Sequence, residues 1–244
     1  MAKKTKKRPG SSTGLVRVTK QKAIDGLPGP DGVRIRYALP EEADKVTSLL
    51  KTAVGDLETG HLEALAEGQC GMWLLEGLSG ARLVEPLVRA AAADDMKSAA
   101  AAMSLPLVAQ DRDGHLVGAL LAVPSGAVIS TITQLPGHEQ HALLSILKYA
   151  KIKAVAVSED AHGRGIGAAL LKRCVQVYWQ LDYMLLFGGF EAARDLGPYY
   201  TRQGFTVLRP GQTIDVGTLL AGVPIQLGAG PGETLFHRWR GRVR

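Results

Sequence analysis

The sequence predicts an α/β domain whose central mixed sheet of about six to seven strands is flanked by helices. Two apolar segments flank residues 111–114, DRDG, and an Asp-Gly pair supplies the positive φ that a tight hairpin turn needs. Later in the chain an apolar strand, an amphipathic helix and a second apolar strand follow one another, which is the order of a parallel crossover. A chain with both an antiparallel hairpin and a parallel crossover is expected to form a mixed sheet.

The first half of the domain is predicted to hold one strand, a helical region and the hairpin. Residues 33–39, VRIRYAL, alternate between apolar and polar side chains as a half-buried strand does. Pro40 and two glutamates then begin a helix that runs to about Val54. Residues 58–104 are rich in Ala and Leu and predict two or three helices, with residues 81–103 as the longest helical stretch. The hairpin strands are LPLVAQ and HLVGALLAV.

The second half alternates helices and strands. His138 to Lys151 predicts a short amphipathic helix, and the strand KIKAVAV follows. Residues 168–180 predict a helix with one broad apolar face, and YMLLFGGF after it is typical of a buried strand. GPYYTRQGF predicts a short helix with a proline in its first turn and a glycine at its C-terminal cap. FTVL and TLFHRWR are the last two strands.

The chain has 244 residues, of which 46% are hydrophobic, and this composition indicates a globular protein with one large domain or a domain with extensions. The longest apolar runs are too short for a membrane span, and the basic N-terminus leads into Gly, Ser and Thr rather than into a signal peptide's apolar region. We therefore expect a cytoplasmic protein without a membrane partner. Cys70 and Cys174 lie far apart and suit buried reduced thiols better than a disulfide or a zinc site, so no structural metal is expected.

The positive charge of the chain is concentrated at its two ends. The net charge is +6, but residues 1–22 carry eight basic residues and no acid, and the last seven residues carry four arginines. The body between them therefore has a net charge of −6. Residues 1–30 also have little apolar surface, so we expect a basic flexible tail before a single domain over residues 31–244. Such a tail can be merely solvated, or it can bind nucleic acid through phosphates.

Three glycines at positions 163, 165 and 167 stand where the strand KIKAVAV turns into a helix. The first N–H groups of a helix lack partners, and glycines let an anion approach the backbone closely, so the turn predicts a phosphate site. Arg164 could add a charged contact to a phosphate or ribose. The alternative is a turn that is glycine-rich for close packing alone. The turn is neither a Walker loop nor a good dinucleotide-binding fingerprint.

Two linked motifs, AVAVSEDAHGRGIGAALLKRC and LGPYYTRQGF, resemble the signatures of the GNAT superfamily of acyl-CoA-dependent N-acyltransferases. The pyrophosphate loop of that family corresponds to residues 162–167, and its tyrosine four residues before Gly-Phe corresponds to Tyr200. The resemblance follows the element order from about residue 33 to residue 240 and is specific for residues 152–208. His162 replaces the usual Arg or Gln, and Ala193 stands where an Asn is common. Residues 58–104 are longer than the usual helical region.

The resemblance implies a GNAT-like fold and a role for each matched residue. Acetyl-CoA is the implied co-substrate: its pyrophosphate would meet the N–H groups of residues 163–168, and its pantetheine arm the backbone of Val155 to Val157. An N–H near Val157 would stabilise the oxyanion, and Tyr200 would protonate the departing thiolate as general acid. Tyr199 is the competitor if the register is off by one. The implied cofactor-binding residues are Val155, Val157, His162, Gly163, Arg164, Gly165, Ile166, Gly167 and Ala168.

The group that deprotonates the amine is not evident from the sequence. Glu159 and Asp160 end one strand and Glu191 ends the next, but each is more typical of a solvated or capping acid, and a water chain is equally plausible. Three histidines are further candidates, although lone histidines usually lie at the surface or pack. They are His115, His138 and His141.

Three functional hypotheses follow. The leading one is an N-acetyltransferase that moves the acetyl group of acetyl-CoA to a primary amine on a small molecule, a peptide or a protein. The second is a non-catalytic acyl-CoA-binding or regulatory domain, which the departures at His162 and Ala193 favour. The third is an acetyltransferase that docks on RNA or the ribosome through its basic tail. The acyl preference and the oligomeric state stay open, with a homodimer as one option.

Overall fold

A computed structural model describes residues 17–54, 57, 60–134, 139–217 and 225–241. The helices are α1 (Lys20–Asp25), α2 (Ala43–Ala53), α3 (Gly60–Ala66), α4 (Met72–Leu78), α5 (Val84–Ala92), α6 (Met96–Ala102), α7 (Gly126–Thr133), α8 (Glu139–Lys148), α9 (Ile166–Gln180) and α10 (Gly197–Arg202). The strands are β1 (Leu27–Pro28), β2 (Arg34–Tyr37), β3 (Leu105–Gln110), β4 (Leu116–Val123), β5 (Tyr149–Val157), β6 (Leu185–Glu191), β7 (Thr206–Val207), β8 (Ile214–Asp215), β9 (Gln226–Leu227) and β10 (Glu233–Trp239).

Eight strands form the main sheet in the order β1-β2-β3-β4-β5-β6-β10-β7, and β8 and β9 pair separately. The β5–β6 pair is parallel and its neighbours are antiparallel, which confirms the predicted mixed sheet, its hairpin and its crossover. The main sheet has one strand more than expected because the two-residue strand β1 joins its edge. The last strand, β10, lies between β6 and β7.

Helices cover both faces of the sheet. On one face α9 buries Leu170, Leu171, Cys174 and Tyr178 in the largest apolar cluster, and each fully buried leucine stabilises the fold by roughly 1.5–3 kcal/mol. On the other face α2 packs through Val46 and Leu50 against the middle strands. A third cluster on this second face combines Tyr149, Phe187 and Leu235 with residues of β8 and β9. Among the helices described, none has both the length and the apolar composition that crossing a membrane requires.

The helical region differs from the prediction. Residues 60–102 form four helices rather than two or three, and the stretch 81–103 is two helices rather than one. The break is at Asp94, whose φ of 54° is incompatible with a continuing right-handed helix. Asp95 then caps α6, because its side chain accepts a hydrogen bond from the Ser98 N–H at 3.3 Å. Helix α7 was not predicted.

Residues 17–30, which were expected to belong to a flexible tail, are part of the folded body. Of residues 1–30, the structure describes residues 17–30, and these pack against the body instead of extending from it. Val18 is fully buried, and its N–H and C=O both hydrogen-bond to the Gln180 side chain, at 2.9 and 2.6 Å. Burial of Val18 and the pairing of β1 with β2 hold this segment against the body, although its composition is mostly polar. Residues 1–16 lie outside the described residues.

A partly buried ion pair joins β2 to the turn before α2. The Arg36 guanidinium, on a residue only 6% exposed, donates to both carboxylate oxygens of Glu42 at 2.8 and 2.5 Å. Burial acts to raise the pKa of Glu42, but the hydrogen bonds from Arg36 and from the Leu39 N–H outweigh it and hold that pKa below its usual value. The ion pair with Arg36 therefore holds the turn before α2 against the sheet.

Candidate active site

The site lies where two parallel strands separate. β5 and β6 pair only between Tyr149–Lys151 and Leu185–Phe187. Beyond this point the strands diverge, and a cavity of about 910 Å³ opens between them. Gly188 stands at the divergence, where an added Cβ would lie 2.8 Å from the Ile152 carbonyl oxygen. Because Gly188 has no side chain, β5 and β6 can approach each other closely at the last position before they diverge.

The diverging part of β5 has a free backbone edge. The Ser158 N–H donates to the Val117 carbonyl at 3.0 Å, and Val157 and Val155 lie opposite Gly118 and Leu120. Hydrogen-bonded and non-hydrogen-bonded pairs alternate along an antiparallel ladder, so the N–H and C=O groups of Val155 and Val157 point away from β4. They face the side on which β6 has diverged, where an extended ligand could pair with them like an added strand.

The glycine turn forms a cradle at the end of this edge. Gly163 and Gly165 have φ of 74° and 76°, the left-handed conformation that glycine adopts without strain. α9 begins directly afterwards, with no side chain capping its first N–H groups and no acid in its first turn. Residues 163 and 165–168 line the cavity. Uncapped N–H groups and the positive end of the helix dipole suit a phosphate at this position.

His162 ties the turn to the strand. Its Nε2 lies 2.8 Å from the Val157 carbonyl oxygen. A carbonyl only accepts hydrogen bonds, so Nε2 carries the hydrogen in this contact. The histidine at the position where Arg or Gln was expected therefore occupies one backbone acceptor of the free edge and leaves the Val155 and Val157 N–H groups available.

Arg164 is not where the phosphate prediction places it. Its side chain forms an ion pair with Asp31, a residue of the N-terminal segment with φ of 53°. Arg164 is also absent from the residues that line the cavity. Pro30 of the same segment approaches the turn closely, 3.8 Å from the position of an added Cβ on Gly165. The N-terminal segment thus covers the outer side of the glycine turn.

The two adjacent tyrosines of α10 occupy different parts of the cavity wall. The Tyr199 hydroxyl reaches the glycine turn, 2.7 Å from the position that a Cβ on Gly167 would take. Burial raises the pKa of Tyr199 to about 12, and nearby Arg202 opposes this rise. Tyr200 lines the same cavity beside the diverging strands.

Tyr200 is fixed by aromatic stacking. Its ring stacks on Phe236, with centroids 3.7 Å apart, and on Phe190 at 5.5 Å. Only 7% of the residue is exposed, and among the described residues its hydroxyl has no hydrogen-bond partner. Burial, with a smaller contribution from Tyr199, raises the pKa of Tyr200 well above its usual value of about 10. The Tyr200 hydroxyl is therefore protonated over the whole physiological range.

Among the acids proposed as bases, Glu191 lines the cavity. Glu159 and Asp160 lie in an exposed turn and do not line it. Glu233, which the sequence did not single out, does line the cavity, because β10 pairs with β6 and sets Glu233 directly opposite Glu191. Glu233 could have been noted from its position one residue before the predicted strand TLFHRWR. Its place in the cavity depends on the pairing of β10 with β6, which was not predicted.

Of the three histidine candidates, the structure describes the side chain of His115, which does not line the cavity. His115 lies in the hairpin turn, 3.6 Å from Asp111, and with Asp113 these side chains bring potential metal-ligand atoms within 4.8 Å of one another. His138 and the side chain of His141 lie outside the described part of the chain. Ala193 is exposed in the turn after β6 and does not line the cavity.

A model of the GNAT acetyltransferase domain matches residues 106–207. The matched part runs from β3 to β7 and includes the glycine turn and both tyrosines. Residues 106–207 of the chain are therefore similar to a GNAT acetyltransferase domain. The resemblance inferred from the two motifs is confirmed.

Solved structures similar to the chain include several acetyltransferases. An IAA acetyltransferase from Bacillus cereus is 16% identical over 85% of this chain and 99% of its own, with a TM-score of 0.44. A GNAT family acetyltransferase from Staphylococcus aureus is 11% identical over 86% and 100%, with a TM-score of 0.47. A GNAT family acetyltransferase from Elizabethkingia anophelis with acetyl-CoA bound is 14% identical over 86% and 99%, with a TM-score of 0.42. No curated protein matches the chain.

The cavity is also lined by basic residues that the sequence did not single out. Lys151 and Lys153 of β5 line the cavity. In the pairing with β4, consecutive residues of β4 lie opposite Ala154 and Ile152, so Lys153 is the extra residue of a β-bulge. Arg194 reaches across the cavity mouth and donates to the Ala53 carbonyl at the end of α2, at 2.7 Å. A β-bulge can be predicted only when the register of the two strands is known, and residue spacing in the sequence does not give the register of β4 and β5.

Proposed function

We propose that the protein is an N-acetyltransferase that moves an acetyl group from acetyl-CoA to a primary amine. The free edge of β5 carries this proposal, because it joins the glycine turn to the neighbourhood of Tyr200 within one cavity. The pyrophosphate would bind the N–H groups of the turn and of the α9 N-terminus. The pantetheine arm would then pair with Val155 and Val157 and bring the thioester to the diverging strands.

Acetyl transfer in this arrangement is a direct displacement. The amine nitrogen attacks the thioester carbonyl carbon, and the C–S bond breaks as the C–N bond forms. An N–H of the free edge, at Val155 or Val157, donates to the oxyanion. Tyr200 gives its proton to the departing thiolate as general acid. The proton that the nitrogen loses, through water or Glu191, restores the Tyr200 hydroxyl over the cycle.

The rival proposal is a domain that binds acyl-CoA without catalysis. Tyr200 argues for the enzyme: a stacked tyrosine that only filled space would not need a hydroxyl that lacks a partner among the described residues. The RNA- or ribosome-associated form rests on the five basic residues within residues 1–16, which lie outside the described residues. Deleting residues 1–16 tests it, because salt-sensitive RNA binding should then disappear.

The test of the main proposal is calorimetric titration with acetyl-CoA. We expect micromolar binding by the intact protein and none by the Gly165→Glu, Gly167→Glu double variant, whose side chains and charges fill the phosphate cradle. The Lys97→Gln variant, changed at an exposed position of α6, is the control. An amine screen that detects free CoA thiol then measures transfer. Absence of acetyl-CoA binding by the intact protein would overturn the proposal.

A further inference from the structure

The basic side chains of the glycine turn point away from the phosphate cradle or are already hydrogen-bonded. Arg164 pairs with Asp31 and does not line the cavity. His162 donates from Nε2 to the Val157 carbonyl at 2.8 Å. The N–H groups and the dipole at the start of a helix amount to about half a positive charge, whereas each phosphate of a diphosphate carries a full negative charge. A diphosphate at the turn would therefore keep most of its charge unless another element brought a cation to it.

Arg202, in the last turn of α10, is placed to bring this cation. Tyr199 and Arg202 are three residues apart in α10, so their side chains lie on the same face of the helix. Both residues line the main cavity, as do Gly163 and residues 165–168 of the glycine turn. The Tyr199 hydroxyl lies 2.7 Å from the position of an added Cβ on Gly167. Arg202 thus extends from the helix face that contacts the turn.

The charge of Arg202 acts on the Tyr199 hydroxyl. Burial raises the pKa of Tyr199 to about 12, and the Arg202 guanidinium opposes this rise. A cation lowers the pKa of a hydroxyl by stabilising negative charge on its oxygen, and this effect requires proximity. Because the hydroxyl lies against Gly167, the guanidinium and the glycine turn belong to the same part of the cavity wall.

The Arg202 side chain has the freedom to contact a ligand. It is exposed, and it makes no hydrogen bond or ion pair with a residue that the structure describes. The other basic residues of the cavity are engaged or distant. Arg194 donates to the Ala53 carbonyl at 2.7 Å, and Lys153 already interacts within the protein. Lys151 lies where β5 still pairs with β6, at the end of the diverging strands opposite to the glycine turn.

We propose that Arg202 binds the diphosphate of acyl-CoA, so that the phosphate site has two walls, the glycine turn and the last turn of α10. The inference rests on the proposed function, from which it takes the binding of acetyl-CoA. The turn provides N–H donors, and α10 provides the charge. A guanidinium suits this position, because its fork of N–H groups can donate to two phosphate oxygens at once. Arg164 keeps its contact with Asp31 while the ligand is bound.

The 3′-phosphate of CoA is the other anionic group that an exposed arginine could meet. The geometry favours the diphosphate, because the charge of Arg202 acts on the Tyr199 hydroxyl at the inner side of the turn. The outer side is covered by the N-terminal segment, whose Pro30 lies 3.8 Å from the position of an added Cβ on Gly165. A ligand without the 3′-phosphate separates the two assignments.

The test is calorimetric titration of the full-length protein with acetyl-CoA and with acetyl-dephospho-CoA, which lacks the 3′-phosphate. Arg202→Gln should weaken the binding of both ligands by the same factor, about tenfold, as for a lost charge-assisted hydrogen bond. The difference from the parent protein should shrink at high salt, because screening weakens the contact that the variant lacks. Arg202→Lys should recover part of the affinity, because lysine keeps the charge but not the fork.

Two other arginines provide the comparison variants. Arg164→Gln should change the affinity less than twofold, because Asp31 holds this side chain away from the cavity. Arg89→Gln is the matched control and should leave the affinity unchanged. Like Arg202, Arg89 is an exposed arginine in the last turn of a short helix, but it does not line the cavity.

The outcomes separate this inference from the proposed function. The inference is wrong, and acetyl transfer stands, if Arg202→Gln binds as tightly as the parent protein, if its loss is confined to acetyl-CoA, or if Arg164→Gln loses as much. If Arg202→Gln weakens binding as expected but no amine is acetylated, the phosphate site stands and the proposed transfer fails. Absence of acetyl-CoA binding by the intact protein overturns both.

Discussion

The Tyr199 hydroxyl occupies the space that a side chain at Gly167 would take, 2.7 Å from the position of its Cβ. Gly167 lies in the first turn of α9, and its lack of a side chain leaves room for the Tyr199 hydroxyl. The third glycine of the turn is thus required by a contact with α10, which lies more than 30 residues later in the sequence.

Gly167→Ala should push the Tyr199 ring out of place and weaken acetyl-CoA binding. Overpacking of this kind destabilises a site by about 1–3 kcal/mol, so we expect a loss of affinity of about tenfold by calorimetry. In the Gly167→Ala, Tyr199→Phe double variant the hydroxyl is gone, and the next ring atom lies 3.7 Å from the Cβ, an ordinary contact. Affinity should therefore recover, and failure to recover would mean that Tyr199 is not what Gly167 accommodates.

Tyr200→Phe should lower kcat by about 100-fold, the lower range for loss of a general acid, without changing acetyl-CoA affinity. The change keeps the stacked ring, so thermal stability should be close to that of the parent protein. Tyr199→Phe is the matched control and should retain most of kcat. An equal loss of kcat in both variants would remove the assignment of the acid to Tyr200.

The pH profile gives an independent check on Tyr200. Its pKa is raised by burial, so the hydroxyl keeps its proton to a higher pH than a free tyrosine. The kcat of the parent protein should therefore show no descending limb between pH 7 and about pH 10, the ordinary tyrosine pKa. A fall of kcat centred near pH 9, absent from the Tyr200→Phe variant, would contradict this environment.

Asp31→Asn should strengthen acetyl-CoA binding by two- to fivefold. The Arg164–Asp31 pair is exposed, and such pairs contribute about 0–1 kcal/mol, so Arg164 can exchange Asp31 for a phosphate when the acid is removed. The gain should shrink at high salt, because screening weakens the phosphate contact. Asp25→Asn, in α1 of the same segment, should leave affinity unchanged. Weaker binding by Asp31→Asn would show that Asp31 instead holds the segment in a binding-competent position.

Glu42→Gln should destabilise the fold by about 3 kcal/mol at pH 7, because it leaves the Arg36 charge without its partner. The pKa of Glu42 is lowered in the folded protein, so its stabilisation is complete above the unfolded pKa of about 4.3 and is lost as the pH falls through the folded pKa.

Urea unfolding measures the difference between the parent protein and Glu42→Gln, which should be largest at pH 7 and shrink towards pH 3. Glu41→Gln, at the exposed neighbouring position, should have little effect. A difference independent of pH would mean that the loss comes from packing rather than from the ion pair.

Most of the fold could be predicted because its signals are local. The Asp-Gly hairpin turn, the glycines before α9 and the Pro and Gly around α10 act within a few residues of one another, and each defines an element boundary that the structure has. The break at Asp94 was missed because alanine-rich sequence on both sides favours helix, and only the backbone conformation at one residue divides it.

The geometry of the site could be predicted only in part from such local signals. Its strand, its glycine turn and Tyr200 follow from motifs in the sequence, because their spacing is set by consecutive elements of one crossover unit. The partner of Arg164 lies 133 residues away and that of Val18 lies 162 residues away, and the cavity exists because β5 and β6 stop pairing after three residues. Such contacts depend on how whole elements pack and pair, and periodicity along the chain does not encode that arrangement.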